Sequence, residues 1–179
     1  VVTNPPMDPI REGDSMDLRT YIGRRPIARE HAHEYKPQPH IELESPILTE
    51  DQYQNLVDPV PGEDHLPVHR FDTAVHESTE HAMLDAIDRI KAQAVKIVRS
   101  KEFSVLVLSD RGVKEGDIYI PPALIAAAIH NELTNYGLRR HASIVCDTGE
   151  AFEAHDMALL VAMGADAVNP YLMWQAAEA

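Results

Sequence analysis

The sequence predicts an α/β protein: an incomplete parallel strand–helix layer with an extended, proline-rich N-terminal strap. Three observations carry that expectation. Ten of the 13 prolines fall in residues 1–67, where each removes a backbone donor and fixes a torsion, which excludes long helices and central strands there. From residue 78 onward, helix-period apolar patterns alternate with short apolar runs, the signature of parallel strands joined by helical crossovers. Of the 179 residues, 44% are hydrophobic, enough for a packed core.

The strap is placed at residues 1–77 and the core at residues 78–179. The strap still holds Leu18, Tyr21, Ile22, Ile41, Leu43, Ile47 and Leu48, more apolar side chains than a free tail carries, so it is expected to lie along other structure. Its one helix, about residues 50–56, follows from Thr49-Glu50-Asp51-Gln52, where Thr49 and Gln52 can form a capping box. In the core, Met83, Ile87, Ile90, Ala94 and Ile97 mark one face of a helix over roughly 79–100, capped by Ser78 or Thr79. Ser104–Leu108 reads as a buried parallel strand. Pro121 and Pro122 open a second helix that Gly137 closes. Ala142–Cys146 is a second strand, and Met157, Leu160 and Val161 belong to a third helix stopped by Gly164. Ala165–Val168 is a third strand, and Tyr171 begins a last helix. Three strands are too few for a closed eight-stranded barrel.

Charge and composition remove several functions. With 16 basic and 29 acidic side chains, a net charge of −13 and a pI near 5.1, the chain lacks the footprint for nucleic acid or an anionic membrane surface. No run approaches 18 apolar residues and no basic-then-apolar leader is seen, so a cytoplasmic protein is expected. A single cysteine, Cys146, excludes an internal disulfide and an iron–sulfur cluster held by this chain alone. The chain opens on Val1, which suggests a piece of a longer polypeptide.

Motifs that hint at chemistry fail on spacing. His76 and His81 are five apart, about 140° around a helix, whereas zinc-protease histidines are four apart. His65 and His69 have that spacing, but Pro67 lies between them. His31 and His33 sit in a proline-flanked segment and read as surface residues. Cys146 ends an apolar run without a nearby cation, the setting of a structural thiol. Gly112 and Gly116 follow a strand, yet the acidic residues among them would repel a phosphate. What remains is a set of polar residues at the strand ends: Asp110, Arg111, Asp147 and Asn169. Carboxyl ends of parallel strands are where α/β proteins place binding groups, and such residues also cap the following helices. Asp110 and Arg111 are expected to be structural first.

The strings TNPPMDPIRE (Thr3–Glu12), SPILTEDQ (Ser45–Gln52), VLSDRGV (Val107–Val113), IPPALIAAAIHNEL (Ile120–Leu133) and GADAVNPYL (Gly164–Leu172) resemble, in order and spacing, the central domain of the glutamate synthase large subunit. The resemblance spans nearly the whole chain except Asp58–His76. It implies a rudimentary TIM-barrel-like fold with no cofactor of its own, FMN and an iron–sulfur cluster residing elsewhere in the parent enzyme. It implies as partners the amidotransferase and FMN-binding domains of one polypeptide, which turns glutamine, 2-oxoglutarate and two electrons into two glutamates. It also places Thr3 and Asn4 near the junction with the flavin domain, as candidates for the ammonia tunnel or a domain interface. Residues expected to be catalytic or metal-binding are none. The sequence departs from the family at His130-Asn131-Glu132-Leu133, at Asp147-Thr148-Gly149-Glu150 and at Ala154-His155-Asp156, so a role for the family's histidine cluster is not carried over. The first part of the family's central domain is expected to lie outside this chain. The alternative is a free-standing α/β module that binds a small polar ligand without catalysis.

Overall fold

A computed structural model describes residues 17–23, 40–59, 66–76, 79, 81–100 and 103–178. Its centre is a four-stranded, fully parallel sheet in the order β3 (Val68–Asp72), β5 (Ser104–Ser109), β7 (Ala142–Asp147), β8 (Ala167–Asn169). Helices α2 (Ala82–Ser100), α3 (Pro122–Asn135) and α4 (Ala154–Ala162) are the three crossovers, and α5 (Tyr171–Glu178) follows the last strand. Two antiparallel ribbons complete the described strands: β1 (Thr20–Gly23) with β2 (His40–Leu43), and β4 (Ala74–Val75) with β6 (Ile118–Tyr119).

The strands sort their side chains by parity. Leu106, Leu108, Ile144, Cys146 and Val168 share one core with the apolar faces of α2, α3 and α4. Val105, Val107, Val145 and Ala167 point the other way, into a second core with Ile22, Leu43, Leu48, Tyr53 and Leu56. Thus the β1–β2 ribbon and the short helix α1 (Glu50–Val57) cover the face that the crossover helices leave open. Because both faces are covered, β5 and β7 are buried at every residue.

Local signals hold where they were strongest. The capping box at Thr49 forms in both directions. Pro122 stands at the start of α3, and Gly137 ends it at φ +67°, a torsion that glycine adopts without a Cβ penalty. The three-strand expectation is corrected to four. β3 lies inside the stretch assigned to the strap, and it escapes notice because His69, Arg70 and Asp72 make it polar, with Phe71 its one buried residue. The first core helix starts at Ala82 rather than 79, and the third predicted strand runs over Ala167–Asn169 rather than 165–168. Thr3, Asn4, His31, His33, His65 and Ser78 lie outside the described residues. Among the described residues, no helix is long and apolar enough to cross a membrane.

Candidate functional site

The register of the sheet gathers the predicted polar residues. Ser109, Asp147 and Asn169 stand side by side at the carboxyl ends of β5, β7 and β8. Each lies two residues beyond a side chain of the second core, so strand alternation points all three toward α1. Asp147 is fully buried. Its Oδ2 accepts from Ser109 Oγ (2.7 Å) and its Oδ1 from Asn169 Nδ2 (3.0 Å). Arg111 Nε donates to both carboxylate oxygens, at 3.0 and 2.9 Å.

Helix α1 closes the network from the other side. Glu50 Oε2 accepts from Arg111 Nη2 at 2.7 Å and from Asn169 Nδ2 at 3.0 Å. The guanidinium also lies 4.2 Å from the Tyr171 ring centroid and 5.3 Å from that of Tyr53, within cation–π range. One cation therefore serves two carboxylates between two aromatic faces.

The protonation states follow from these contacts. Burial alone would lower the Arg111 pKa, but its bonds to Asp147 and Glu50 raise it, and it stays charged. Burial would raise Glu50, yet hydrogen bonds from Asn169, Gln54 and Arg111 hold it below its usual 4.5. The Tyr53 hydroxyl is buried beside Asp147 without a hydrogen bond of normal geometry; burial and that charge push its pKa up.

Asp110 faces a neighbouring loop instead. Its carboxylate accepts from Thr148 Oγ1 (2.5 Å) and from the Gly149 amide (3.1 Å to each oxygen). Beside it is a cavity of about 190 Å³ lined by Asp110, Val113, Tyr119, Gly149, Glu150 and Tyr171, among others; the Tyr119 hydroxyl donates to Glu150. Burial and then Asp110 push the Tyr171 hydroxyl up as well.

Of the predicted strand-end residues, Arg111, Asp147 and Asn169 thus meet in one network and Asp110 stands next to it. Glu50, Tyr53 and Tyr171 were missed, whereas Ser109 is visible in the sequence as the polar residue that opens the Ser109-Asp110-Arg111 strand end. Glu50 carries only the signal of a first-turn helical acid, and its partners in the network are 61 and 119 residues away. Elsewhere, Cys146 is fully buried, and burial followed by nearby carboxylates pushes its thiol up to about 12. His76 Nδ1 pairs with Asp117 at 3.0 Å. Among the described residues, no group of three or more His, Cys, Asp or Glu is placed to hold a metal ion. The network is a clamp: Arg111 and the Asn169 amide nitrogen are spent on Asp147 and Glu50, while Asn169 Oδ1 and the Tyr53 hydroxyl lie buried without a hydrogen-bond partner among the described residues.

Residues 1–179, the whole chain, match the family described as the glutamate synthase central domain. The chain belongs to that family. This central domain is 36% identical over 173 residues to the glutamate synthase [NADPH] large chain of Bacillus subtilis, covering 97% of this chain and 11% of that one. It is 37% identical over 174 residues to the chloroplastic ferredoxin-dependent glutamate synthase of Spinacia oleracea, covering 96% and 10%. With the glutamate synthase [NADH] of Schizosaccharomyces pombe it shares 34% over 176 residues, covering 98% and 8%. The central domain therefore spans about a tenth of the length of these curated relatives. Identity to it does not sort the three by the electron donor in their names.

Proposed function

We propose that this central domain is a non-catalytic connecting element of a glutamate synthase, joining the amidotransferase and FMN-binding domains and contributing to the passage of ammonia between them. The observation that carries this reading is the strand-end clamp. In a parallel α/β layer the carboxyl ends of the strands are the usual place for ligand chemistry, and here Arg111, Asp147, Asn169 and Glu50 fill that place with bonds to each other. The incomplete sheet is in keeping with a rudimentary relative of a flavin barrel, and the N-terminal strap is taken to wrap it.

The cofactors of the parent enzyme do not fit these residues. A flavin phosphate needs free donors, whereas the strand ends present Asp110, Asp147 and Glu150, the Gly149 amide serves Asp110, and Arg111 serves Asp147 and Glu50. A cluster needs thiolates, and Cys146 is buried with a raised pKa. In this reading both groups belong to other parts of the polypeptide. The small cavity beside Asp110 and Tyr171 supports a second reading, a module that binds a small polar ligand there.

The connecting role is tested in the full enzyme. Asn4→Trp, at the stretch assigned to the tunnel or domain interface with Thr3, is expected to leave glutamine hydrolysis intact and to lower the glutamate formed per glutamine hydrolysed. Coupling that stays one-to-one would remove the tunnel role from this segment.

A further inference from the structure

The amino ends of the strands, opposite the Arg111 clamp, are held by a second arginine. Arg139 lies in a 3₁₀ turn, Arg139–His141, between α3 and β7. Its Nη1 donates to the Ala142 carbonyl at 2.6 Å, where β7 begins. Its Nη2 donates to the Gly164 carbonyl (2.8 Å) and to Asp166 Oδ2 (2.9 Å), in the turn before β8. The same Asp166 oxygen accepts the amide of Ile144 at 2.8 Å, tying that turn into β7. The fourth bond runs to α3: Arg139 Nε donates to His130 Nδ1 at 3.0 Å.

That last bond fixes a protonation state. An arginine Nε–H can only donate, and it does not deprotonate in proteins. His130 Nδ1 must therefore accept, which leaves the imidazole neutral with its proton on Nε2. A second proton would occupy Nδ1, abolish the bond and set two cations against each other.

We propose that His130 is a pH-sensitive latch: neutral, it draws Arg139 onto α3, and on protonation it releases that arginine and loosens the amino ends of β7 and β8. The surroundings support this. Burial first, and then the Arg139 charge, hold His130 below its ordinary 6.5, with Asp166 acting in the opposite sense. The ring lines an open cavity of about 430 Å³, so protons reach it. The other charged groups around that cavity are Asp17 and Arg19, which are paired with each other, while α4 contributes Val161. Gly164, at φ +109°, presses its backbone against the ring, and a Cβ there would collide with it. The Thr134 hydroxyl donates to the His130 carbonyl at 2.7 Å. The ring is thus held in place while its proton count is free to change.

The sign follows from linkage. A histidine held below its ordinary value binds more protons unfolded than folded, so its stabilisation is complete above 6.5 and is lost as the pH falls toward the folded midpoint. His130→Asn supplies the control, because Asn Oδ1 can occupy the acceptor position at any pH. Between pH 7.5 and 5.5 the melting temperature of the wild-type chain is expected to fall by about 2 °C or more beyond the fall in His130→Asn. Equal falls would overturn the latch. Independently of that variant, ¹H–¹⁵N spectroscopy of the wild-type imidazole should show the Nε2–H tautomer at pH 7.5 and a midpoint below 6.5. Exchange of the Ile144 amide should accelerate across that midpoint. An Nδ1–H tautomer, a midpoint at or above 6.5, or an unchanged Ile144 amide would each refute it.

Discussion

Asp147 is a fully buried carboxylate whose charge is met by one guanidinium, itself about three-quarters covered. Removing such a partner leaves an uncompensated buried charge, at about 3–5 kcal/mol. Arg111→Ala is therefore expected to lower the melting temperature, at about 2–4 °C for each kcal/mol in a chain of this size. Arg111→Lys should fall between, since an ammonium keeps the charge but not the rigid fork that holds Asp147 through Nε and Glu50 through Nη2, nor the stacking on Tyr171. Thermal unfolding followed by circular dichroism checks both, and an unchanged melting temperature in Arg111→Ala would deny the clamp its structural role. At this scale the sequence was half legible. Polar residues that follow apolar strand runs are visible as strand ends, so Asp110, Arg111, Asp147 and Asn169 could be named. Nothing local marks Glu50, because its value lies in partners that only the fold brings near.

Helix α1 delivers Glu50, Tyr53 and Leu56 to the sheet with only eight residues. A helix this short does not persist alone in water, so its cap and its packing must hold it together. The Gln52 amide donates to Thr49 Oγ1 (3.3 Å) while the Thr49 amide donates to Gln52 Oε1 (2.9 Å). Thr49→Ala is expected to cost about 1 kcal/mol in urea unfolding, with Thr49→Ser recovering most of it. A cost near zero would mean that packing of Tyr53 and Leu56 alone sets the helix. Elements with this kind of local chemistry were the legible ones: the capping box, the Pro122 start, the Gly137 and Gly164 stops, and the unbroken apolar runs of β5 and β7. β3 was not, because an edge strand among the described residues need not be apolar on both sides, and its pairing with β5 is set by tertiary contact. The β1–β2 ribbon was missed for the same reason, as two four-residue strands carry too little alternation to stand out.

In the molecule as a whole, early and late parts of the chain cover each other. The segment Pro46–Leu48 runs along the outer edge of β8: Val168 donates to the Pro46 carbonyl at 2.7 Å, and Leu48 donates to the Val168 carbonyl at 2.8 Å. Trp174 Nε1, on α5, donates to the Leu48 carbonyl at 2.8 Å across 126 residues of sequence. The alternation of helices and strands made the parallel layer readable, whereas the way the described segments 17–23 and 40–57 cover its second face was readable only as a surplus of apolar residues. That covering has a consequence for synthesis. During translation, Leu48, Tyr53 and Leu56 emerge long before β8 and α5 exist to receive them, and they must wait uncovered or be shielded by other proteins. Limited proteolysis of chains halted before Ala167 should therefore cut within residues 46–57, where chains that include β8 and α5 resist. Equal resistance in the halted chain would show that this segment docks without its last-made partners.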